Sequence, residues 1–417
     1  MKEQIVCQFH DLSHEGLGVG KVDGKVIFAE GALPGEKALI QLVEDKKKYS
    51  VGEVLKIIEP SKKRIKPVCP YFEKCGGCQI QHIDYSDGLN IKKTRVVEQL
   101  KKTLKGYELP IALVHPSINT LFYRNKIELK VNKDSIGFYQ KKSHELLNIN
   151  HCYIANPVLN EMLKFFHSHI HLISNVEKIT LRTNQKQEEV TIIFHGKKEP
   201  SQQILKIIKE LPYVVGALWV KDFNNKKLLF GHSYIKETIL GKTYKIDSMA
   251  FLQVNIPTAE VLYKKVIEAL DTKKNEVFLD AYCGVGILSC IIAQNCKKVV
   301  GLDIVKESID AAKENSKNLG INNIDFYQEP FEKTRSLPKD VDIVLLNPPR
   351  GGCHENAIKQ LKQLSLKKII YVSCDPATLS RDLVELINLG YKIIYLQIFD
   401  LFPQTMHVET LILLEKH

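Results

Sequence analysis

The chain lacks any apolar run near the ~18 residues that a membrane-spanning helix needs. Its first residues, MKEQIVCQFHDLSHEG, also lack a basic stretch followed by an apolar one. A cytoplasmic protein without membrane association is therefore expected. Internal repeats and low-complexity tracts are missing too, which excludes a repeat architecture. Net charge is absent from the C-terminal part, where residues 241–417 hold 22 basic and 22 acidic side chains, and residues 1–60 hold 8 and 10. The formal excess of +11 therefore lies in residues 61–240, with 29 basic and 16 acidic side chains. A basic middle beside a neutral end suits a polyanionic partner, because neutralised phosphates dominate nucleic-acid affinity.

What is present divides into three parts. A chain of 417 residues can build two or three cores, since domains run ~100–200 residues. Residues 1–60 alternate in short segments broken by glycine, the pattern of a small OB-like β-barrel. A polar basic linker, EPSKKRIKP, spans 59–67, and from about 90 to 240 helical stretches such as IKKTRVVEQLKKTLK mix with strands such as NKIELKVN, EVTIIFH and VVGALWV. That mixture predicts an α+β domain. Residues 241–417 carry a regular rhythm, with strands EVFLDAY, KVVGLDI, IDFYQEP, VDIVLLN and KKIIYVS separated by helical segments. This is βα winding about a parallel sheet. The last two strands, YKIIYLQIFDLFP and HVETLILLEKH, are joined by too short a connection for a crossover helix and should pair antiparallel. Seven strands ending in an antiparallel pair predict an α/β fold, the Rossmann-like variant that methyltransferases use.

In LDAYCGVGILS, Asp280 ends a strand, and Gly284 and Gly286 let the backbone approach a ligand before a helix opens. Asp303 ends the next strand, where a carboxylate accepts ribose hydroxyls. The loop has neither a Walker lysine nor the third glycine of the dinucleotide fingerprint, so adenosine without pyrophosphate fits better. NPPRGG at 347–352 follows a buried strand and stiffens a turn at the carboxyl end of the sheet. There Asn347 can hydrogen-bond a cofactor or base, and Arg350 offers a planar fork to phosphate.

Cys374 follows the strand KKIIYVS and precedes Asp375-Pro376 at a helix start, a setting expected to lower a thiol pKa. Glu409 begins an otherwise apolar terminal strand, where a solvated role is improbable. A thiolate that adds to C6 of a pyrimidine makes C5 nucleophilic, and a carboxylate can then remove the C5 proton. Cys374 and Glu409 are the candidates for those two roles.

Cys69, Cys75 and Cys78 stand as C-x5-C-x2-C and need a fourth ligand. His82 would give a Cys3His zinc site and Cys152 a four-thiolate iron–sulfur site; spacing leaves both open. Cys7, Cys283, Cys290, Cys296 and Cys353 are expected to be packing residues. Tyr123-Arg124-Asn125-Lys126 and GFYQKKSH at 137–144 mix aromatic and basic side chains, which suits stacking on splayed bases and holding phosphates.

FLQVN (251–255), DAYCGVG, NPPRGG, SCDPATLSRDL and DLFPQTMHVET together resemble the RNA uracil-C5 methyltransferase family over nearly the whole chain. The resemblance implies Cys374 as nucleophile and Glu409 as base. It also implies Gln253, Tyr282, Asp303 and Asn347 as contacts to S-adenosylmethionine. Asn347 stands where the family usually has Asp, Asp303 where Glu is common, and Ile287 where some relatives carry Asn; that last contact is not carried over. CGGCQIQH is similar to the cluster segment of the iron–sulfur members, which implies a [4Fe-4S] cluster on Cys69, Cys75, Cys78 and Cys152. The N-terminal barrel resembles the TRAM domain, an RNA-binding module. Barrel and cluster together resemble members acting on 23S rRNA rather than on the tRNA T-loop. The expectation is thus a monomer making 5-methyluridine in 23S rRNA. A tRNA enzyme and a catalytically inactive RNA-binding factor are the alternatives.

Overall fold

The computed structural model describes residues 3–222, 225–271, 273–335, 337–338 and 340–417. Strands Gln4–Leu12, Gly18–Val22, Lys25–Glu30, Lys37–Asp45 and Tyr49–Glu59 close into a barrel. Alternation in the sequence points Cys7, Phe9, Ile27, Ala29, Ala38 and Ile40 inward. The basic linker is pinned to this barrel. Arg64 makes a forked ion pair with the fully buried Glu36, at 2.6 and 2.7 Å. A second apolar cluster joins Leu12 and Leu33 of the barrel to Ile80, Ile83 and Met406. The barrel therefore rests on both the cysteine segment and the loop before Glu409.

The central α+β part has a seven-stranded sheet, with Lys178–Thr183 flanked antiparallel by Lys126–Val131 and Val190–His195. Val190–His195 pairs parallel with Val214–Val220. Helices Pro157–Ser168 and Gln202–Lys209 bury their apolar faces against it.

The C-terminal sheet runs in the order Ile324–Gln328, Lys298–Asp303, Val277–Asp280, Ile343–Leu346, Lys368–Ser373, Glu409–Lys416, Tyr391–Phe399, Ala112–His115. The first five strands are parallel and the terminal two antiparallel, as the sequence pattern predicts. Apolar cores cover both faces, as a doubly wound sheet requires. The eighth strand, Ala112–His115, comes from the middle of the chain and pairs parallel with Tyr391–Phe399. The preceding helix, Tyr85–Thr103, packs on helix Pro376–Asn388, where Gln99 and Thr103 hydrogen-bond the Ser380 hydroxyl at 3.2 and 3.1 Å. Residues 85–115 are thus built into the C-terminal sheet and its helical layer, across the sequence boundary at 240. No described helix is long and apolar enough to cross a membrane.

Candidate active site

The carboxyl edge of the parallel strands collects the motif residues in one row. Asp280 is in register with Gly301 on one side and Leu345 on the other. The Ala281 amide donates to the Leu345 carbonyl at 3.1 Å, which continues that pairing, and the Cys283 amide donates to the Leu302 carbonyl at 2.8 Å with the register shifted by one residue. Asp303, Tyr282 and Asn347 therefore stand at or just past the carboxyl ends of three adjacent strands.

Gly284 and Gly286 both have left-handed backbones, at φ 53° and 78°, which an L side chain resists. A Cβ on Gly284 would meet no atom within 4 Å, so the space beside the turn is open to a ligand. A Cβ on Gly286 would lie 2.9 Å from both Ala312 and the Phe326 ring. Asp303 fastens the loop, its Oδ2 accepting from the Gly284 amide at 3.0 Å and its Oδ1 from Val305 at 2.8 Å. Burial pushes its pKa upward. Ile304, the next residue, is 67% exposed, an apolar side chain beside the Asp303 carboxylate that motif reading missed. Asp280 is buried, raised to about 7, and bonded by the Ser289 hydroxyl at 2.7 Å. Gln253 is buried with Oε1 lacking any partner. Such an orphaned acceptor is costly unless a ligand donor meets it. Its loop is held by Asn125, which donates to the Gln253 carbonyl at 3.3 Å, and by Arg182, which donates to the Ala250 carbonyl at 2.6 Å. Tyr282 sets its ring edge-on to Phe331. Open turn, acidic strand end and orphaned acceptor fit the adenosine, ribose and amino-acid parts of S-adenosylmethionine.

Cys374 and Glu409 come together across two antiparallel strands. Ser373 pairs with Thr410, and Cys374 and Glu409 adjoin that last pair, near enough for Glu409 to act on the thiol. Glu409 is 3% exposed and pushed up to about 8 by burial. The expectation of an acidified Cys374 is corrected. Its thiol is raised to about 11, by burial first and by Glu409 second, with Arg350 opposing. The helix N-terminus does not help because Asp375 occupies it, accepting from Ala377 and Thr378 at 2.8 and 3.0 Å. NPPRGG is fastened to the same helix: Thr378 donates to the Arg350 carbonyl at 3.2 Å, and the Cys353 amide donates to buried Asp382 at 2.7 Å. Arg350 is thereby held close enough to Cys374 to act on its charge.

The cysteines converge in part. Cys69, Cys75, Cys78 and Cys152 line one cavity of about 530 Å³, and burial together with the other three thiols pushes Cys78 up to about 12. His82 lines a different cavity, of about 210 Å³, so the thiols share their space with Cys152 and not with the histidine. Among the described residues no three His, Cys, Asp or Glu side chains are close enough to hold a metal ion, so the expected cluster is not itself shown. The five cysteines expected to pack are buried. Two of the expected RNA contacts are corrected: Tyr123 and Asn125 are 3% exposed and bond internally, Tyr123 to the Pro403 carbonyl at 3.0 Å. Arg124 and Lys126 instead line the thiol cavity.

The family described as tRNA (Uracil-5-)-methyltransferase matches residues 84–417, and the TRAM domain matches residues 8–55. An uncharacterised RNA methyltransferase of Clostridium tetani is 35% identical over 433 residues, covering 96% of this chain and 94% of that protein. One of Clostridium acetobutylicum is 34% identical, covering 97% and 95%. The crystal structure of Pyrococcus abyssi tRNA (uracil-54, C5)-methyltransferase in complex with S-adenosyl-L-homocysteine matches with a TM-score of 0.78 at 26% identity. It covers 98% of this chain and 100% of that one. With a glycine turn that fits S-adenosylmethionine and a TRAM barrel in front, the chain belongs to the tRNA (uracil-5-)-methyltransferase family of RNA methyltransferases.

Proposed function

We propose that this enzyme methylates C5 of a uridine in RNA through a covalent adduct between Cys374 and C6. The observation that carries the reading is the meeting of Cys374 with the buried Glu409 beside the last pair of two antiparallel strands. Bound S-adenosylmethionine supplies an electrophilic methyl and leaves as S-adenosylhomocysteine. Cys374 sulfur bonds to C6, and the C5=C6 electron pair moves to form the enolate whose C5 takes the methyl. Glu409 then accepts the C5 proton. The C5–H pair becomes the C5=C6 double bond, the C6–S bond breaks, and the thiolate returns with its electrons. Arg350 favours the thiolate form. Asp303 holds ribose hydroxyls, Gln253 Oε1 accepts from the amino-acid end, and Tyr282, Asn347, Gly284 and Gly286 complete the cofactor side. The uridine is flipped from its stack to reach this pocket.

Cys69, Cys75, Cys78 and Cys152 are the residues that would hold a [4Fe-4S] cluster, supported by the cavity all four line. The cluster would organise RNA-binding structure and take no part in methyl transfer. Ribosomal RNA of the 23S type is the preferred substrate, on the joint presence of barrel and cysteine set. A tRNA substrate is the second reading, favoured by the full-length match to the Pyrococcus abyssi tRNA enzyme, barrel included. The test is incubation with S-adenosylmethionine and either unmodified 23S rRNA or tRNA. 5-Methyluridine is then quantified by mass spectrometry, with Cys374→Ala alongside. Product in rRNA alone, absent with the variant, supports the reading; product in tRNA alone replaces the substrate, and none in either refutes the chemistry.

A further inference from the structure

The loop of residues 400–408, which leads into Glu409, is gripped by parts of the chain far from it in sequence. Lys92, on helix Tyr85–Thr103, is 2% exposed. Its ammonium donates to Asp400 Oδ1 at 2.5 Å and to the Phe402 carbonyl at 3.1 Å. Arg95, one turn on, reaches the far end of the loop and donates to the Met406 carbonyl at 2.7 Å. Between them the amides of Gln79 and Ile80 donate to the Gln404 carbonyl at 2.9 and 3.1 Å. Gln404 itself sits in the left-handed region at φ 68°, a conformation a glutamine keeps only when its surroundings impose it. Burying an ammonium and a carboxylate is costly, and apolar side chains of similar volume would join helix to sheet at least as well. What an apolar pair cannot do is hold the Phe402 carbonyl and fix the course of the loop.

We propose that Lys92 is a positioning residue for Glu409, fixing through Asp400 and the Phe402 carbonyl where the carboxylate meets the C5 proton. The inference rests on the reading of Glu409 as the base. Cys374 lies at the end of a separate strand, before a helix capped by its own Asp375, so the nucleophile keeps its place when the loop is released. Addition of sulfur to C6 and methylation of C5 then proceed. Removal of the C5 proton slows, and the methylated adduct with its C6–S bond persists.

The experiment compares full-length wild type with Lys92→Met and with Lys92→Met/Asp400→Leu, which leaves no buried charge unpaired. Steady-state kinetics on uridine-containing RNA are read together with adduct that survives denaturing electrophoresis. The expected result is a kcat at least tenfold lower, KM for RNA and S-adenosylmethionine within twofold, and adduct that wild type does not accumulate. Unchanged kcat, or lost activity without adduct in a variant that melts cooperatively, overturns the proposal. Loss of fold in both variants shows the pair to be structural and overturns it too. Wild type is assayed separately for trapping by 5-fluorouridine-containing RNA; failure there refutes the Cys374 and Glu409 chemistry itself.

Discussion

Cys374 follows Ser373 and Glu409 precedes Thr410, the last pair of two antiparallel strands, and the Glu409 carboxylate is close enough to raise the Cys374 thiol. Cys374 leaves its strand toward a helix, whereas Glu409 is reached through the loop of residues 400–408. Glu409 raises the cost of ionising Cys374, since a thiolate beside a carboxylate in a buried setting is like charge facing like charge, whereas burial is what raises Glu409 itself.

Glu409→Gln keeps the size of the side chain and removes the proton acceptor. Turnover should fall ~10²–10⁴-fold, the usual contribution of a positioned base. Adduct should accumulate on uridine-containing RNA, visible as a protein band retarded on denaturing gels. Cys374→Ala should give neither product nor adduct.

The carboxyl of Glu409 is raised to about 8 from an ordinary 4.5, with Cys374 and Tyr263 as the titratable groups facing it. The folded protein therefore holds a proton that the unfolded chain releases between those two values. Stability should fall as pH rises from about 4.5 to about 8, by at most ~1.4 kcal/mol per pH unit from this group. Glu409→Gln should match wild type at the acid end and melt higher at pH 8; equal melting temperatures at both would refute the assignment. Turnover should rise with pH through about 8 as the carboxylate forms.

Gln253→Ala removes the orphaned Oε1 and should weaken S-adenosylhomocysteine binding by ~1–2 kcal/mol, measured by calorimetry, with little change in melting temperature. Gly286→Ala places a Cβ 2.9 Å from Ala312 and Phe326 on a left-handed backbone. It should lower both cofactor affinity and melting temperature. A normal affinity in both variants would separate these two loops from the cofactor.

Anaerobically purified wild type should carry iron and sulfide near four of each per chain. Cys152→Ala should lose both, whereas His82→Ala should keep them, because Cys152 shares the cavity of the other three thiols and His82 does not. Stoichiometric zinc in wild type would overturn the cluster.

Motifs with local causes were readable in the linear chain. Period-2 alternation marked the barrel, βα rhythm marked the parallel sheet, and the short final connection required an antiparallel pair. Gly284 and Gly286 announced a turn that only glycine accepts readily, and the apolar setting of Glu409 announced its burial. Local reasoning failed where several elements compete for one group. Cys374 precedes a helix, but the helix amides are taken by Asp375 and the thiol is raised by burial and by Glu409. Tyr123 and Asn125 look like surface RNA contacts, yet both are interior struts.

By itself, then, the sequence determined which residue types stand at each strand end and turn, because backbone preference and side-chain period act over a few residues. Only the tertiary structure decided that Ala112–His115 completes the C-terminal sheet and that Cys152 rather than His82 joins the thiol cavity. The same holds for Lys92 and Asp400, 308 residues apart. Such pairings depend on which surfaces meet once each part has folded, and hydrogen bonds between distant segments leave no periodic trace in the chain.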